Sequence, residues 1–251
     1  MADEIIPKEA LAYLKAKAVK PGFDHRDIWR QEHNAAFTVA KMLELDILAD
    51  VQEALTVALE EGQTFQQFAE SLKPYLVKRG WWGEQLMEDP LTKEQKTVQL
   101  GSDARLKTIY RTNMRTARAA GQWERIERNQ ATHPFLVYEL GPSREHRLQH
   151  MSWRGIMLPA DDPWWETHFP PNGWGCKCRV RQISRREAER LLKQGGIIIK
   201  APPMKFKEWT NKRTGEVERV PDGIDPGWNY RPGDRQKALD AQLAKKSSDA
   251  L

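Results

Sequence analysis

Apolar residues recur at helical spacing through most of the first eighty positions. Ala10, Leu11, Leu14 and Ala18 make "PKEALAYLKAKA" a short amphipathic helix. "PGFD" interrupts it. Asp24 then stands as a candidate N-cap for a second helix, "HRDIWRQEHNAAFTVAKML", with Ile28, Trp29, Ala36 and Val39 at helical spacing. Ile47, Val51, Leu55 and Leu59 continue the pattern until Gly62 stops it, and "TFQQFAESLKPYLVKRG" runs from a threonine cap to Gly80. "GWWGEQLMEDPLTKEQKTVQLGS" shows no clear period. Its glycines, proline and adjacent tryptophans mark it as a turn between subdomains. The longest predicted helix covers residues 102–130. Leu106, Ile109, Tyr110, Met114, Ala117 and Ala120 form its apolar stripe, while Arg111, Arg115 and Arg118 share another face.

Beyond residue 130 the period changes. "FLVYEL" (135–140) reads as a strand by its β-branched and aromatic content. "SREHRLQHMSWRG" is a short helix or turn, opened by Ser143 and closed by Gly155, and "IMLP" is a second short strand. "DDPWWETHFPPNGWG" is a stiff, aromatic loop that would pack as a plug over the sheet, because proline fixes φ, Asn-Gly turns sharply and tryptophan fills volume. Asp162, before Pro163, caps a turn in it. "CKCRVRQI" alternates and reads as a strand. "SRREAERLLKQGG" is a helix with a Ser184–Glu187 capping box, and "EWTNKRTGEVERV" is a hairpin turning near Gly215. "PDGIDPGWNYRPGD" is turn-rich, and "KALDAQLAKKSSDAL" is a short terminal helix.

The elements describe an α+β protein: a helical N-terminal region (1–90), a small mixed α/β core with a long basic helix and a few short strands (91–200), and a hairpin and turn-rich tail (201–251). The net charge of +5 conceals an asymmetry. Residues 1–100 carry −5, residues 101–200 carry +8 and residues 201–251 carry +2. The basic middle suits nucleic acid or an acidic partner, which makes Arg111, Arg115 and Arg118 candidate contacts to DNA phosphates. No apolar run approaches the roughly 20 residues that span a bilayer. "MADEIIPKEA" is acidic and lacks the blocks of a signal peptide, so synthesis in a bacterial-type cytoplasm is expected.

The two cysteines, Cys176 and Cys178, lie one residue apart, and three of the six histidines, His146, His150 and His168, precede them closely. In a strand, positions i and i+2 share a face, with Cα atoms roughly 6.5–7 Å apart, at the limit for a disulfide. Two thiolates on one face could instead chelate one metal. Cys176, Cys178, His150 and His168 would complete a zinc tetrahedron, with His146 as a substitute. The alternative is a pair of small buried cysteines beside hydrogen-bonded histidines. Among carboxylates, Asp161 and Asp162 are the nearest candidates for a catalytic base. The chain lacks a phosphate-cradling glycine loop, a serine nucleophile elbow and a His-Glu-x-x-His helix.

From His150 through Cys178, "H…G…LP.DDPWW.TH.PPNGWGCKC" resembles the signature of the phage Mu F-like minor head proteins, the head morphogenesis family. The N-terminal "PKEALAYLKAKAVKPGFDHRDIWRQEHNAAFTVAKM" and the later "DGIDPGWNYRPG" are similar to longer members, so the likeness covers most of residues 5–232. Shorter members end in His-Pro-Asn-Cys-x-Cys. Here His168 stands eight residues before Cys176, and "SREHR" replaces the usual acidic and arginine pattern ahead of His150. The resemblance implies a non-enzymatic virion protein at the portal vertex of a tailed phage or prophage, made in the host cytoplasm. It would work in head assembly and in DNA packaging or ejection. Its partners would be portal protein, major capsid or scaffold protein, and packaged double-stranded DNA, with no membrane. The competing readings are a zinc-dependent nuclease using the His/Cys cluster and an ADP-ribosylating effector, for which the chain has no usable motif set.

Overall fold

The computed structural model describes residues 8–236, 238–240 and 243. The fold is α+β, with helices joined to small, separate sheets. The expected terminal helix over 237–251 falls mostly outside the described residues. The chain divides into two compact units: Met1–Arg118 with Asp234–Leu251, and Ala119–Gly233. The break at 118/119 falls within the long helix, which contributes residues to both units.

The unit Met1–Arg118 is built on helices. α1 (Lys8–Lys15) is followed by β1 (Ala18–Val19), which pairs in parallel with β2 (Ala36–Phe37). α2 (Leu45–Glu60) and α3 (Phe65–Lys78) follow as the periodicity predicts. Thr64 caps α3 through a full capping box with Gln67, so two terminal N–H groups find acceptors. Ile47, Val51, Leu55 and Leu59 of α2 meet Phe68, Leu72 and Leu76 of α3 in one mainly aliphatic core.

Two expectations fail in this unit. The helix expected from Asp24 is only a 3₁₀ turn, Arg30–Asn34. Asp27 Oδ2 accepts the Phe23 and Asp24 N–H groups at 2.8 and 2.9 Å, and Asp24 Oδ1 accepts the Arg26 N–H at 3.0 Å. These carboxylates stabilise local turns in competition with the helix. Residues 84–99, expected as a turn, form the antiparallel hairpin β3 (Glu84–Glu88) and β4 (Gln95–Gln99). Of its ten strand residues only Val98 is buried, so there was little alternation to read.

α4 (Asp103–Asn129) matches the predicted long helix. Leu106, Met114, Ala117 and Ala120 are buried along the expected stripe, while Ile109 and Tyr110 are partly buried. The length of α4 would suit a membrane span, but no described helix is both long and apolar enough to cross one.

The unit Ala119–Gly233 holds a three-stranded antiparallel sheet with β5 (Phe135–Glu139) between β6 (Met157–Pro159) and β7 (Arg179–Ile183). Two glutamines tie α4 to the sheet region. Gln122 Nε2 donates to the Val180 carbonyl at 2.6 Å, and Gln182 Nε2 donates to Ile126 and His133 carbonyls at 3.0 and 2.8 Å. α5 (Leu148–Trp153) and the single turn α6 (Trp165–His168) lie in the connections. Ser143 does not cap α5, because its hydroxyl turns to the Glu145 carbonyl. α7 (Arg185–Gln194) begins at Ser184, which accepts the Glu187 N–H. The Glu187 carboxylate takes Arg181 and Arg190 as partners. β8 (Phe206–Thr210) and β9 (Val217–Pro221) form the predicted hairpin, with Gly215 at φ +78° in its turn.

The tryptophan loop packs as a plug. Trp165 and Phe169 are fully buried, and the Trp165 indole donates to the Pro159 carbonyl at 3.0 Å. Trp123 of α4 meets the Phe169 ring edge-on at 5.1 Å. Asp162 caps the turn as expected, accepting the Trp164 N–H at 2.9 Å.

Candidate functional site

Three chemically distinctive side chains converge in the unit Ala119–Gly233. Cys176 and Cys178 lie in the irregular lead-in to β7, not on the strand as the alternation suggested. The chain still alternates there: Cys176 is buried, Lys177 exposed and Cys178 half-buried. Both cysteines are free thiols. α5 carries His150 against them, with Nδ1 3.8 Å from Cys176 Sγ and 3.5 Å from Cys178 Sγ. The three donor atoms lie within 4.8 Å of one another. Among the described residues, these three form the group with metal-ligand spacing.

The surrounding backbone fixes each donor. His150 Nε2 is 2.8 Å from the Gly223 carbonyl, which can only accept. Nε2 therefore carries a proton, and Nδ1 faces the sulfurs. Gly223 has φ +88°, and a Cβ there would lie 2.6 Å from Gln149 Cβ and 2.7 Å from the Trp153 ring. Only glycine brings that carbonyl so close to α5. At Gly141 a Cβ would lie 1.6 Å from the Lys177 carbonyl oxygen. Gly141 thus lets its segment run against the residue between the cysteines, and its N–H bonds to Cys178 Sγ. The Tyr138 hydroxyl is a second hydrogen-bond partner of Cys178, and the Asn172 N–H bonds to Cys176.

These contacts make the thiols unequal. Cys178 is held down to about 6, first by the hydrogen bond from Cys176, then by those from Tyr138 and Gly141. Cys176 is pushed up to about 12, first by that same thiol–thiol bond and then by burial. The shared proton makes this behaviour a property of the pair, whose first proton leaves easily and whose second does not. Burial raises the Tyr138 phenol above its ordinary range.

His168 does not join the cluster. Its ring stacks on Trp164 at 4.3 Å and meets Trp153 edge-on at 4.9 Å. Nδ1 bonds to Thr167 Oγ1 at 2.8 Å, with the Trp164 carbonyl at 3.2 Å. Trp153 in turn stacks on His150 at 4.9 Å, so an indole stands between the two imidazoles. Burial pushes His168 down to about 4, as expected for a neutral packing residue. His146 also lies outside the cluster, with Nε2 2.9 Å from the Gly141 carbonyl.

The segment after residue 222 clamps the cysteine loop. Asp225 Oδ2 accepts the Trp174 N–H and the Arg147 guanidinium, both at 2.8 Å, and the Asp225 N–H donates to the Asn172 carbonyl at 3.0 Å. Trp174 meets Trp228 edge-on at 5.1 Å. Tyr138, Gly141, Asn172 and Gly223 were not singled out from the sequence. Their only signals were the central position of "FLVYEL" and the Asn-Gly and Asp-Gly pairs.

The arginine candidates are on α4 as predicted. Arg111 and Arg118 are exposed and Arg115 is half-buried. Steps of four and three put all three on one side of the helix.

A family model described as "Phage Mu protein F like protein" matches residues 49–181. The chain is 34% identical to the Mu capsid assembly protein F of Escherichia phage Mu, over 98% of its own length and 58% of that protein's. It is 32% identical to the Mu-like prophage FluMu F protein of Haemophilus influenzae (strain Rd), over 85% of its own length and 53% of the relative's. The chain thus spans a little over half the length of these curated relatives. No solved structure gives a significant match. The matched family region covers more than half of the sequence and includes α4, most of the three-stranded sheet, His150 and both cysteines, and the chain belongs to the phage Mu F-like protein family.

Proposed function

We propose that the chain is a minor head protein of a tailed phage or prophage and acts in head assembly at the portal vertex. The observation that carries this reading is the alignment of nearly the whole chain with a protein named for capsid assembly. The unit Met1–Arg118 docks on portal protein, with capsid or scaffold protein as further neighbours. Leu86 and Leu91, in the β3–β4 hairpin, are 68% and 60% exposed and offer that unit an apolar contact. Arg111, Arg115 and Arg118 face packaged DNA, which lets the protein assist packaging or ejection.

Deleting the gene from the parent phage tests the role. Heads should be absent, empty or non-infectious while the host grows normally, and infectious particles at full yield would contradict it. Portal co-purification should fail for the 251-residue chain carrying Leu86→Glu and Leu91→Glu. Retained binding would move the docking surface elsewhere. His150, Cys176 and Cys178 also match the ligand count of catalytic zinc sites, which keeps the nuclease reading alive. Zinc-loaded protein that leaves duplex DNA intact would remove it.

A further inference from the structure

We propose that His150 Nδ1, Cys176 Sγ and Cys178 Sγ bind one zinc ion, with an exchangeable water as the fourth ligand, and that this ion pins the cysteine loop to α5. The inference is independent of the role in head assembly.

The spacing of the donors carries the argument. Zinc–sulfur bonds of about 2.3 Å and zinc–nitrogen bonds of about 2.0–2.1 Å, set in a tetrahedron, place a nitrogen about 3.6 Å from each sulfur. The observed distances of 3.8 and 3.5 Å fall on either side of that value. The donors therefore need only small shifts to close on an ion. A Cys₂His set is also borderline-soft, which favours zinc over the hard, oxygen-seeking cations.

The next layer of contacts is that of a metal centre. A metal-bound imidazole commonly gives its other N–H to a carbonyl, as His150 does to Gly223. Thiolates need hydrogen-bond donors, and the Gly141 and Asn172 N–H groups bond to the two sulfurs. Asn172 has Oδ1 2.9 Å from the Tyr138 hydroxyl, while Nδ2 is buried with no partner among the described residues. With the amide turned over, Nδ2 would donate to the Tyr138 oxygen and free the phenol proton for Cys178. That arrangement suits a thiolate better than a thiol. Binding displaces the protons of both thiols to solvent, so two negative sulfurs neutralise the dication.

The ion would join segments far apart in sequence: α5 through His150, the lead-in to β7 through both cysteines, and the 222–225 turn through Gly223. His168 has no part in it, because Trp164 and Trp153 hold its ring.

Protein purified without chelators should contain about one equivalent of zinc by elemental analysis. X-ray absorption should find two sulfur and two light-atom neighbours. Less than about a tenth of an equivalent, after dialysis against zinc as well, would overturn the proposal. Cys176→Ser, Cys178→Ser and His150→Ala should each lose the metal, whereas His168→Ala should keep it. Zinc lost from a folded His168→Ala protein would overturn the ligand set. Because a ligand variant can fail to fold, cobalt titration of the unaltered protein gives a second measurement. Thiolate-to-cobalt charge-transfer absorption should saturate at about one equivalent, and its absence would count against the site.

Discussion

The two units solve the same problem with different materials. Met1–Arg118 buries mainly aliphatic side chains, with Phe23, Phe37, Phe68 and Trp81 among them: Ile47, Val51, Leu55 and Leu59 of one amphipathic helix pack against Phe68, Leu72 and Leu76 of the next. Ala119–Gly233 has short strands and few long helices, and fills its larger core with rings: Trp123, Tyr138, Trp153, Trp164, Trp165, Phe169 and Trp228. A helical stripe spreads its stabilisation over many similar contacts. A small sheet under a proline- and tryptophan-rich loop concentrates it in a few large side chains and polar clamps. The three side chains with metal-ligand spacing, His150, Cys176 and Cys178, are found in the second kind of core.

The contrast predicts different sensitivities. The largest expected effect is Trp165→Ala, which removes a fully buried indole and its hydrogen bond to Pro159 and should cost about 3–5 kcal/mol. Leu55→Ala in the aliphatic core should cost about 2–5 kcal/mol. Site-resolved hydrogen exchange separates the two, because each should lower protection mainly in its own unit. Uniform loss across both units from either change would erase the distinction.

Acid should act next most strongly, and in both units, because burial holds His33 of Met1–Arg118 at about 3 and His168 of the ring-filled unit at about 4. His168 is held at about 4 against an ordinary 6.5, with His150 the other titratable group acting on it. Between these values the unfolded chain binds a proton that the buried ring refuses. The contribution is therefore complete above pH 6.5 and is lost as pH falls through 4, for a total of about 3 kcal/mol. His168→Phe keeps an aromatic ring against Trp164 and should flatten this part of the pH profile in denaturant melts. An unchanged slope would assign the acid sensitivity to another group.

The smallest effect on stability should come from the arginine face. Changing Arg111, Arg115 and Arg118 to Gln should leave stability within about 0.5 kcal/mol but weaken duplex-DNA binding. The slope of log affinity against log salt should fall by about 3, close to one counterion for each phosphate that is no longer neutralised. Binding unchanged at two salt concentrations would turn this face toward protein partners or solvent.

The same contrast explains what the sequence revealed. α2, α3 and α4 were legible because each repeats apolar residues over many turns, and α3 also starts at a recognisable cap, Thr64. The segment 24–43 met the helical template with Ile28, Trp29, Ala36 and Val39, yet Asp24 and Asp27 use their carboxylates in turns. The β3–β4 hairpin was invisible because it buries almost nothing. At the site, Cys176, Cys178 and His150 were legible from chemistry alone. His168 was misassigned because sequence proximity does not reveal an indole between two imidazoles. Gly141 and Gly223 could not be recognised as supports, because their importance depends on what a Cβ would strike after folding.

The most direct test of the central claim, that a metal centre organises the ring-filled unit and not the mainly aliphatic one, is hydrogen exchange of the 251-residue chain with and without a zinc chelator. Protection should fall in α5, in residues 170–178 and around Gly223 when the metal is removed. α2 and α3 should exchange at the same rate in both samples. Identical exchange in the cysteine loop with and without chelator would contradict the account, leaving a corner held by tryptophan packing, proline and the Asp225 clamp alone.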